Sequence, residues 1–282
     1  MGDIWTVEDL GEGTHVFRWR PGFYASIFAV TGAGVIATDP IDPVAARAYR
    51  EAIGTVTSQP VRWILYSHDH RDHITGADVL APDAEVIAHH SVADWLAYRG
   101  DEDIPAPTRH LEDIDLLEFD SYRVSLHHFG PNHSRTNSAL VFPTAGGPML
   151  TFVDLVEPGV TPYRELPDTD IMGTIRSLRA ASELEFATVM GGHRGPGDPE
   201  WVTGYLRYFE DLVERTEAAF RRGGGQNPLP GEDGIAMTER FRDNVCLTVT
   251  DELRARYGSW PGFDAWVPKN VDRVLGYIIT GN

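Results

Sequence analysis

Four residues that could do chemistry fall within six positions, His68-x-His70-x-Asp72-His73. Imidazole nitrogens suit zinc, and a carboxylate oxygen can complete or bridge a metal site. In an extended stretch His68 and His70 point to one side, while Asp72 and His73 begin a turn and can face a second point. One motif can thus feed two metal ions. A single zinc needs three or four protein ligands and a pair needs more. Further candidates stand just past other apolar runs: His133 in Gly130-Pro131-Asn132-His133-Ser134, Asp154 after 149–153, and His193 in a glycine-rich turn after 186–190.

Such residues need rigid strands behind them. Apolar runs bounded by turn residues predict strands at 14–18, 24–30, 34–38, 61–66, 85–88, 116–119, 122–128, 137–142, 149–153 and 186–190. Helices are expected at 44–53 with Asp42 as cap and Pro43 opening it, at 74–80, at 91–98 with Ser91 as cap, at 170–181, and at 199–222 with Asp198 as cap. The Gly/Pro-rich stretch 223–231 reads as a linker between a catalytic domain, 1–222, and an extension, 232–282. About 50 residues are too few for an independent core, so the extension is expected as two or three helical pieces packed on the main domain.

The order HxHxDH, a glycine-proline loop histidine, an aspartate after an apolar strand and then Gly-His resembles the metallo-β-lactamase fold superfamily across residues 12–200, with Asp39 matching that family's early structural aspartate. The resemblance implies an α/β fold, an αββα four-layer sandwich, here with a helical C-terminal extension. It also implies two Zn2+ ions, with iron or manganese as alternatives. His68, His70 and His133 would hold one metal and Asp72, His73 and His193 the other, with Asp154 bridging them beside a hydroxide. That hydroxide would attack a carbonyl carbon, with Asp72 the catalytic group that orients it or carries its proton to the leaving group. Val153 departs from the glycine that the family often has before the bridging aspartate. Ser67 and Ser134 adjoin the ligands and read as hydrogen-bonding supports rather than nucleophiles.

Substrate-binding candidates are Trp95, Phe129, Arg135, Tyr163 and Arg164, with Asn137 beside them, and Phe23 and Tyr24 sit in an early hairpin that in this family often forms a flap. His15, His89, His90, His110, His127 and His128 read as structural or surface residues, His127 or His128 being nearest the pocket.

Charge and composition narrow the partners. The 282 residues carry 24 basic and 42 acidic side chains, a formal −18, which disfavours nucleic acid and anionic lipid. Cys246 is the single cysteine, so the chain can form neither an internal disulfide nor a thiolate-rich metal site. No apolar run approaches the ~18 residues of a membrane span, and the first residues lack a secretory signature. The expectation is a cytoplasmic hydrolase with a small-molecule substrate, no nucleic-acid or membrane partner, and homodimerisation left open. Its substrate is expected to be a carboxylic ester, lactone or thioester, small and neutral or mono-anionic. A β-lactam or sulfate ester on the same dimetal core is the alternative, as is an iron-dependent oxidoreductase of the persulfide dioxygenase type. A non-catalytic binder is disfavoured by the intact ligand set.

Overall fold

A computed structural model describes residues 4–223 and 227–281. The elements run, in order, β1 (Trp5–Gly11), β2 (Thr14–Trp19), β3 (Tyr24–Val30), β4 (Val35–Thr38), α1 (Pro43–Val56), β5 (Val61–Leu65), α2 (Arg71–Ile74), α3 (Ala77–Leu80), β6 (Glu85–His89), α4 (His90–Arg99) and β7 (Arg109–Leu111). There follow β8 (Ile114–Phe119), β9 (Tyr122–His127), β10 (Ala139–Phe142), β11 (Met149–Thr151), α5 (Ile171–Ala181), β12 (Thr188–Met190), α6 (Glu200–Arg222), α7 (Gly234–Tyr257) and α8 (Phe263–Thr280).

One sheet holds seven strands in chain order, β1 to β7, and the other holds five in the order β12-β11-β10-β9-β8. Strands β1 to β4 pair antiparallel, whereas β4 to β7 are parallel. In the second sheet only β11 and β12 pair in parallel. Central strands covered on both faces read as unbroken apolar runs, as β4 does in Val35-Ile36-Ala37-Thr38.

Three apolar clusters make four layers. Phe17, Phe28, Tyr49, Ile64 and Leu96 pack α1, α3 and α4 onto the outer face of the first sheet. Val16, Ile27, Ile36, Leu117, Val124 and Met190 fill the space between the sheets. Leu150, Phe152, Leu178, Tyr205, Val249 and Val271 join the second sheet to α5 through α8. The chain is therefore an αββα sandwich with a helical C-terminal region.

Differences from the sequence pattern have local causes. The edge strands β1 and β7 escaped it because β1 carries acids and leaves Glu8 and Asp9 exposed, while β7 has only three residues. The helix expected at 74–80 is two single turns, α2 and α3, divided at Gly76, where a Cβ would strike Pro40 O and Asp42 O. Helix α4 starts one residue before Ser91, with His89 as its cap, because His89 Nδ1 accepts the Ser91 N–H at 3.4 Å. Helix α6 starts at Glu200, whose N–H donates to Asp198 Oδ1 at 2.8 Å. The C-terminal pieces are two long helices. Residues 224–226 of the expected linker lie outside the described residues.

The C-terminal helices grip the loop after Val160. Thr161 N–H donates to Pro261 O at 2.9 Å, and buried Asn270 receives Tyr208 Oη at 2.6 Å while donating to Pro162 O at 3.3 Å. Among the described residues no helix is long and apolar enough to cross a membrane.

Candidate metal centre

The site gathers at one edge of both sheets. Strand β5 runs into the loop that carries His68 to His73; β11 leads to Asp154, β12 to His193, and the β9–β10 connection holds His133. Hydrogen bonds fix each loop from behind. Asp39, buried and at φ +34°, accepts the Ser67 N–H at 2.8 Å, so it anchors the residue before His68. Burial raises the Asp39 carboxyl to about 6, against the pull of His73 and Ser67. Asp69 is fully buried and points away from its two histidine neighbours into an ion pair with the partly exposed Arg99, and Arg99 Nη2 also donates to Asp69 O at 2.8 Å. The His133 N–H donates to Asn132 Oδ1 at 2.6 Å, and Asn137 Nδ2 holds both Asn132 Oδ1 and Val153 O at 3.0 Å. Asn137 thus joins the two loops that present His133 and Asp154.

Two groups of donor atoms result, each within 4.8 Å: His68, His70, His133 and Asp154 in one, Asp72, His73 and His193 in the other. His133 Nε2 lies 3.2 Å from His70 Nδ1. Asp154 Oδ2 is 3.9 Å from His68 Nε2, 3.4 Å from His133 Nε2 and 3.2 Å from His73 Nε2, while its Oδ1 is 3.4 Å from His193 Nε2. Asp154, at φ +60°, therefore faces both groups, and Val153 leaves it in place. Gly192 makes this close approach possible. A Cβ there would stand 2.5 Å from Asp154 Oδ1, 2.6 Å from Val153 Cγ1 and 2.9 Å from His73 Cε1.

The donor set fits divalent metal. His68 Nε2, His73 Nε2 and Asp154 Oδ1 are buried without a hydrogen-bond partner among the described residues, a cost of about 1–3 kcal/mol each that a coordinated ion would remove. Burial holds His68 well below its ordinary value and His133 down to about 4, so both present free lone pairs. Burial also opposes charge on His73, but Asp154 outweighs it and raises that imidazole to about 9. Burial would raise the Asp154 carboxyl too; His73 and His193 beside it hold it well below the carboxylate range. The outward nitrogens have supports of the kind that orient ligands: Ser67 Oγ lies 2.8 Å from His68 Nδ1, and Asp168 Oδ2 lies 3.5 Å from His70 Nε2.

A cavity of about 750 Å³ opens over these atoms, lined by Phe23, Tyr24, Tyr163, Arg194 and Trp266 among others. Tyr163 and the flap residues Phe23 and Tyr24 reach it. The other substrate-binding candidates do not line it. Trp95 stacks on Tyr98 under the Arg135 guanidinium, Phe129 packs against Phe152 in the outer core, and exposed Arg164 pairs with Glu165. Asn137 is buried as a support, and neither His127 nor His128 lines the cavity. Sequence reasoning missed Asp168, Trp266 and Glu157. Glu157 lines the cavity, accepts the Gly192 and His193 N–H groups at 2.6 and 3.1 Å, and is pushed up to about 7 by burial and by Asp154. The doublet Gly191-Gly192 was its only trace, since a Cβ on Gly191 would strike the Glu157 carboxylate.

Known proteins share this fold. A family model described as the β-lactamase superfamily domain matches residues 36–146. Metallo-β-lactamases from Pontibacter korlensis and Hirschia baltica superpose with a TM-score of 0.63 at 16% identity, covering 73% of this chain and 99% and 98% of theirs. That from Erythrobacter litoralis gives 0.60 at 20% identity, covering 75% of this chain and 98% of its own. Fold, site and sequence together place the chain in the metallo-β-lactamase superfamily. Within reach by sequence is a curated protein, the 2,4-dinitroanisole O-demethylase subunit alpha of Nocardioides sp. (strain JS1661), 32% identical over 197 residues. The match covers 68% of this chain and 55% of that relative, so the chain spans little more than half of its length.

Proposed function

We propose that the chain is a metal-dependent hydrolase that cleaves a carboxylic ester, lactone or thioester bearing an aromatic group. Its candidate ligands are His68, His70 and His133 for one ion, Asp72, His73 and His193 for a second, and Asp154 between them. The observation that carries the reading is the convergence of these seven side chains, three with orphaned buried atoms, at an aromatic-walled cavity that His70, Asp72, His133, Asp154 and His193 line. Zinc suits the imidazole and carboxylate donors. Bound there, two such ions supply Lewis acidity and acidify a water molecule toward neutral pH.

The protein groups divide the remaining work. Tyr24 Oη donates to Asp72 Oδ2 at 2.9 Å and fixes that carboxylate at the cavity. Burial and Asp72 raise the Tyr24 hydroxyl, which therefore stays a donor at neutral pH. Asp72 Oδ2 is the atom placed to take a proton from the attacking water and return it to the leaving oxygen or sulfur. Arg194, exposed on the wall, offsets the negative charge of a departing carboxylate or phenolate. Tyr163 and Trp266, ring centroids 5.2 Å apart at 76°, form an aromatic edge against which a substrate ring packs, and Phe23, 77% exposed, closes over it from the hairpin.

The curated relative favours a second reading on the same site: hydrolytic removal of methyl from an electron-poor aryl methyl ether, releasing a phenolate and methanol. A panel of aryl esters, an aryl lactone, a thioester, a β-lactam, an aryl sulfate and 2,4-dinitroanisole, run with metal-reconstituted chain, separates the readings. Turnover of the esters or lactone, lost in His70→Ala and in Asp154→Ala, supports the first. Turnover confined to the methyl ether replaces it with the second, and turnover unchanged in either variant removes the assigned site. One iron per chain in place of two zinc ions would argue for oxygen chemistry instead.

A further inference from the structure

A second imidazole cluster lies apart from the cavity, where the two sheets meet behind the His133 loop. His89 ends β6 in the first sheet and is 2% exposed; Asp113 precedes β8 and His128 follows β9 in the second. His89 Nε2 lies 3.2 Å from Asp113 Oδ1, and its Nδ1 lies 2.7 Å from Ser91 Oγ. The His128 ring stacks on His89 at 3.9 Å and 16°, and the His128 backbone N–H donates to Asp113 O at 2.7 Å. The His90 ring sits 4.2 Å from that of His89. One donor atom from each of His89, His90 and Asp113 falls within 4.8 Å of the others, and none of the three lines the cavity.

We propose that His89 Nε2, His90 and Asp113 form a separate site for one transition-metal cation of the Zn2+, Co2+ or Ni2+ kind, which fastens the first sheet to the second. Ligand types and spacing both fit. In a tetrahedral site with bonds of about 2.0–2.1 Å, ligand atoms stand roughly 3.4 Å apart. The His89–Asp113 pair is already at that separation, and the 4.8 Å limit leaves about 1.4 Å to be closed. The half-exposed His90 and the exposed Asp113, with side chains 50% and 77% accessible, have room to close it, His90 Nδ1 leaving its 3.5 Å contact with Asp94 Oδ2. With metal on Nε2 the His89 proton sits on Nδ1, which then donates to Ser91 Oγ at 2.7 Å in place of the longer 3.4 Å contact from the Ser91 N–H, an outer partner of the kind that orients metal-bound histidines. Crowded imidazoles repel each other's protons, so burial and His90 keep His89 in the neutral form that binds metal. The cluster also leads toward the candidate catalytic ligands: His128 Nδ1 meets Asn137 O at 3.2 Å, and Asn137 holds the loops of His133 and Asp154.

The test counts metal. Chain stripped with chelator and then dialysed against Zn2+ or Co2+ is expected to bind one ion fewer per chain in Asp113→Ala and in His89→Ala than in the native protein, with ester turnover unchanged in Asp113→Ala. A His68→Ala/His73→Ala/Asp154→Ala background removes ligands from both halves of the larger centre; there one ion should persist and Zn2+ should raise Tm, and adding Asp113→Ala should abolish both. Asp113 is exposed, so its variant carries the test if His89→Ala does not fold. Equal metal content in native and Asp113→Ala chains, or no Zn2+-dependent rise in Tm in the background variant, overturns the proposal. Neither result bears on hydrolysis at the larger centre.

Discussion

Replacing Gly192 with alanine should weaken both metal binding and the fold, and the two losses can be read separately. Gly192 is not in the left-handed region, so the cost is steric. The new Cβ would stand 2.5 Å from Asp154 Oδ1, where unstrained contact begins near 3.4 Å, so the carboxylate must retreat by about 0.9 Å. Metal sites hold their ligand distances within about 0.2 Å. A displacement several times larger than that should lower metal affinity by at least the 10–100-fold typical of disturbed supports, about 1.4–2.7 kcal/mol. Overpacking itself costs about 1–3 kcal/mol, which at roughly 2–4 °C per kcal/mol lowers the metal-free Tm by about 2–12 °C. Competition against a chromogenic chelator reads the first quantity and melting in excess chelator reads the second. Gly146→Ala is the control, because the nearest atom to its Cβ is Thr144 Oγ1 at 3.8 Å. Native metal affinity in Gly192→Ala would show that Asp154 does not need its present position, and the bridging assignment would fall.

Other perturbations probe separate parts. Arg99→Met strands Asp69 as a buried unpaired charge; the expected loss is about 3–5 kcal/mol in denaturant unfolding, and a loss below 1 kcal/mol would contradict the anchoring role of the pair. Trp266→Ala removes one side of the aromatic edge and should raise KM for aryl esters about 2–12-fold while sparing small aliphatic esters, whereas an equal effect on both would point to general damage. Metal loading at pH 7 should release protons, because Asp154 holds His73 protonated up to about 9 in the metal-free chain; calorimetry in buffers of different ionisation enthalpy detects this, and affinity should climb from pH 7 to 9. His128 is held down to about 4 by burial and by His89, below its unfolded value near 6.5, so the unfolded chain binds the extra proton between those values. Its contribution to stability is complete above pH 6.5 and is lost as pH falls toward 4; His128→Phe in metal-free protein should flatten that part of the Tm profile, and an unflattened profile would exclude His128 as the titrating group.

The candidate ligands were legible because chemistry and position coincided in them: histidines and aspartates stand directly after apolar runs, and those runs end at one edge of the sandwich. The supports were not. Asp69 reads as one more polar residue in the motif, and its partner Arg99 lies thirty positions away at the end of α4. Glu157 and Asp168 sit in irregular stretches where no periodicity says which way a side chain points. Trp95, Phe129 and Arg135 were favoured because they lie near ligands along the chain, yet closeness in sequence does not set direction, and the cavity wall came instead from Trp266 in α8. The outer edges β1 and β7 lack the apolar alternation that burial on a sheet imposes, and the length of α7 was hidden by its scattered apolar positions.

Trp266 also separates what the molecule does from what it selects. The candidate reacting groups occupy loops between His68 and His193, whereas one wall of the cavity belongs to a helix more than seventy positions further along. Substitutions in α8 can therefore recast the shape offered to a substrate without disturbing a single donor atom at the floor. Closely similar chains with the same histidines and aspartates can then diverge in the compounds they accept through changes in their last helix alone.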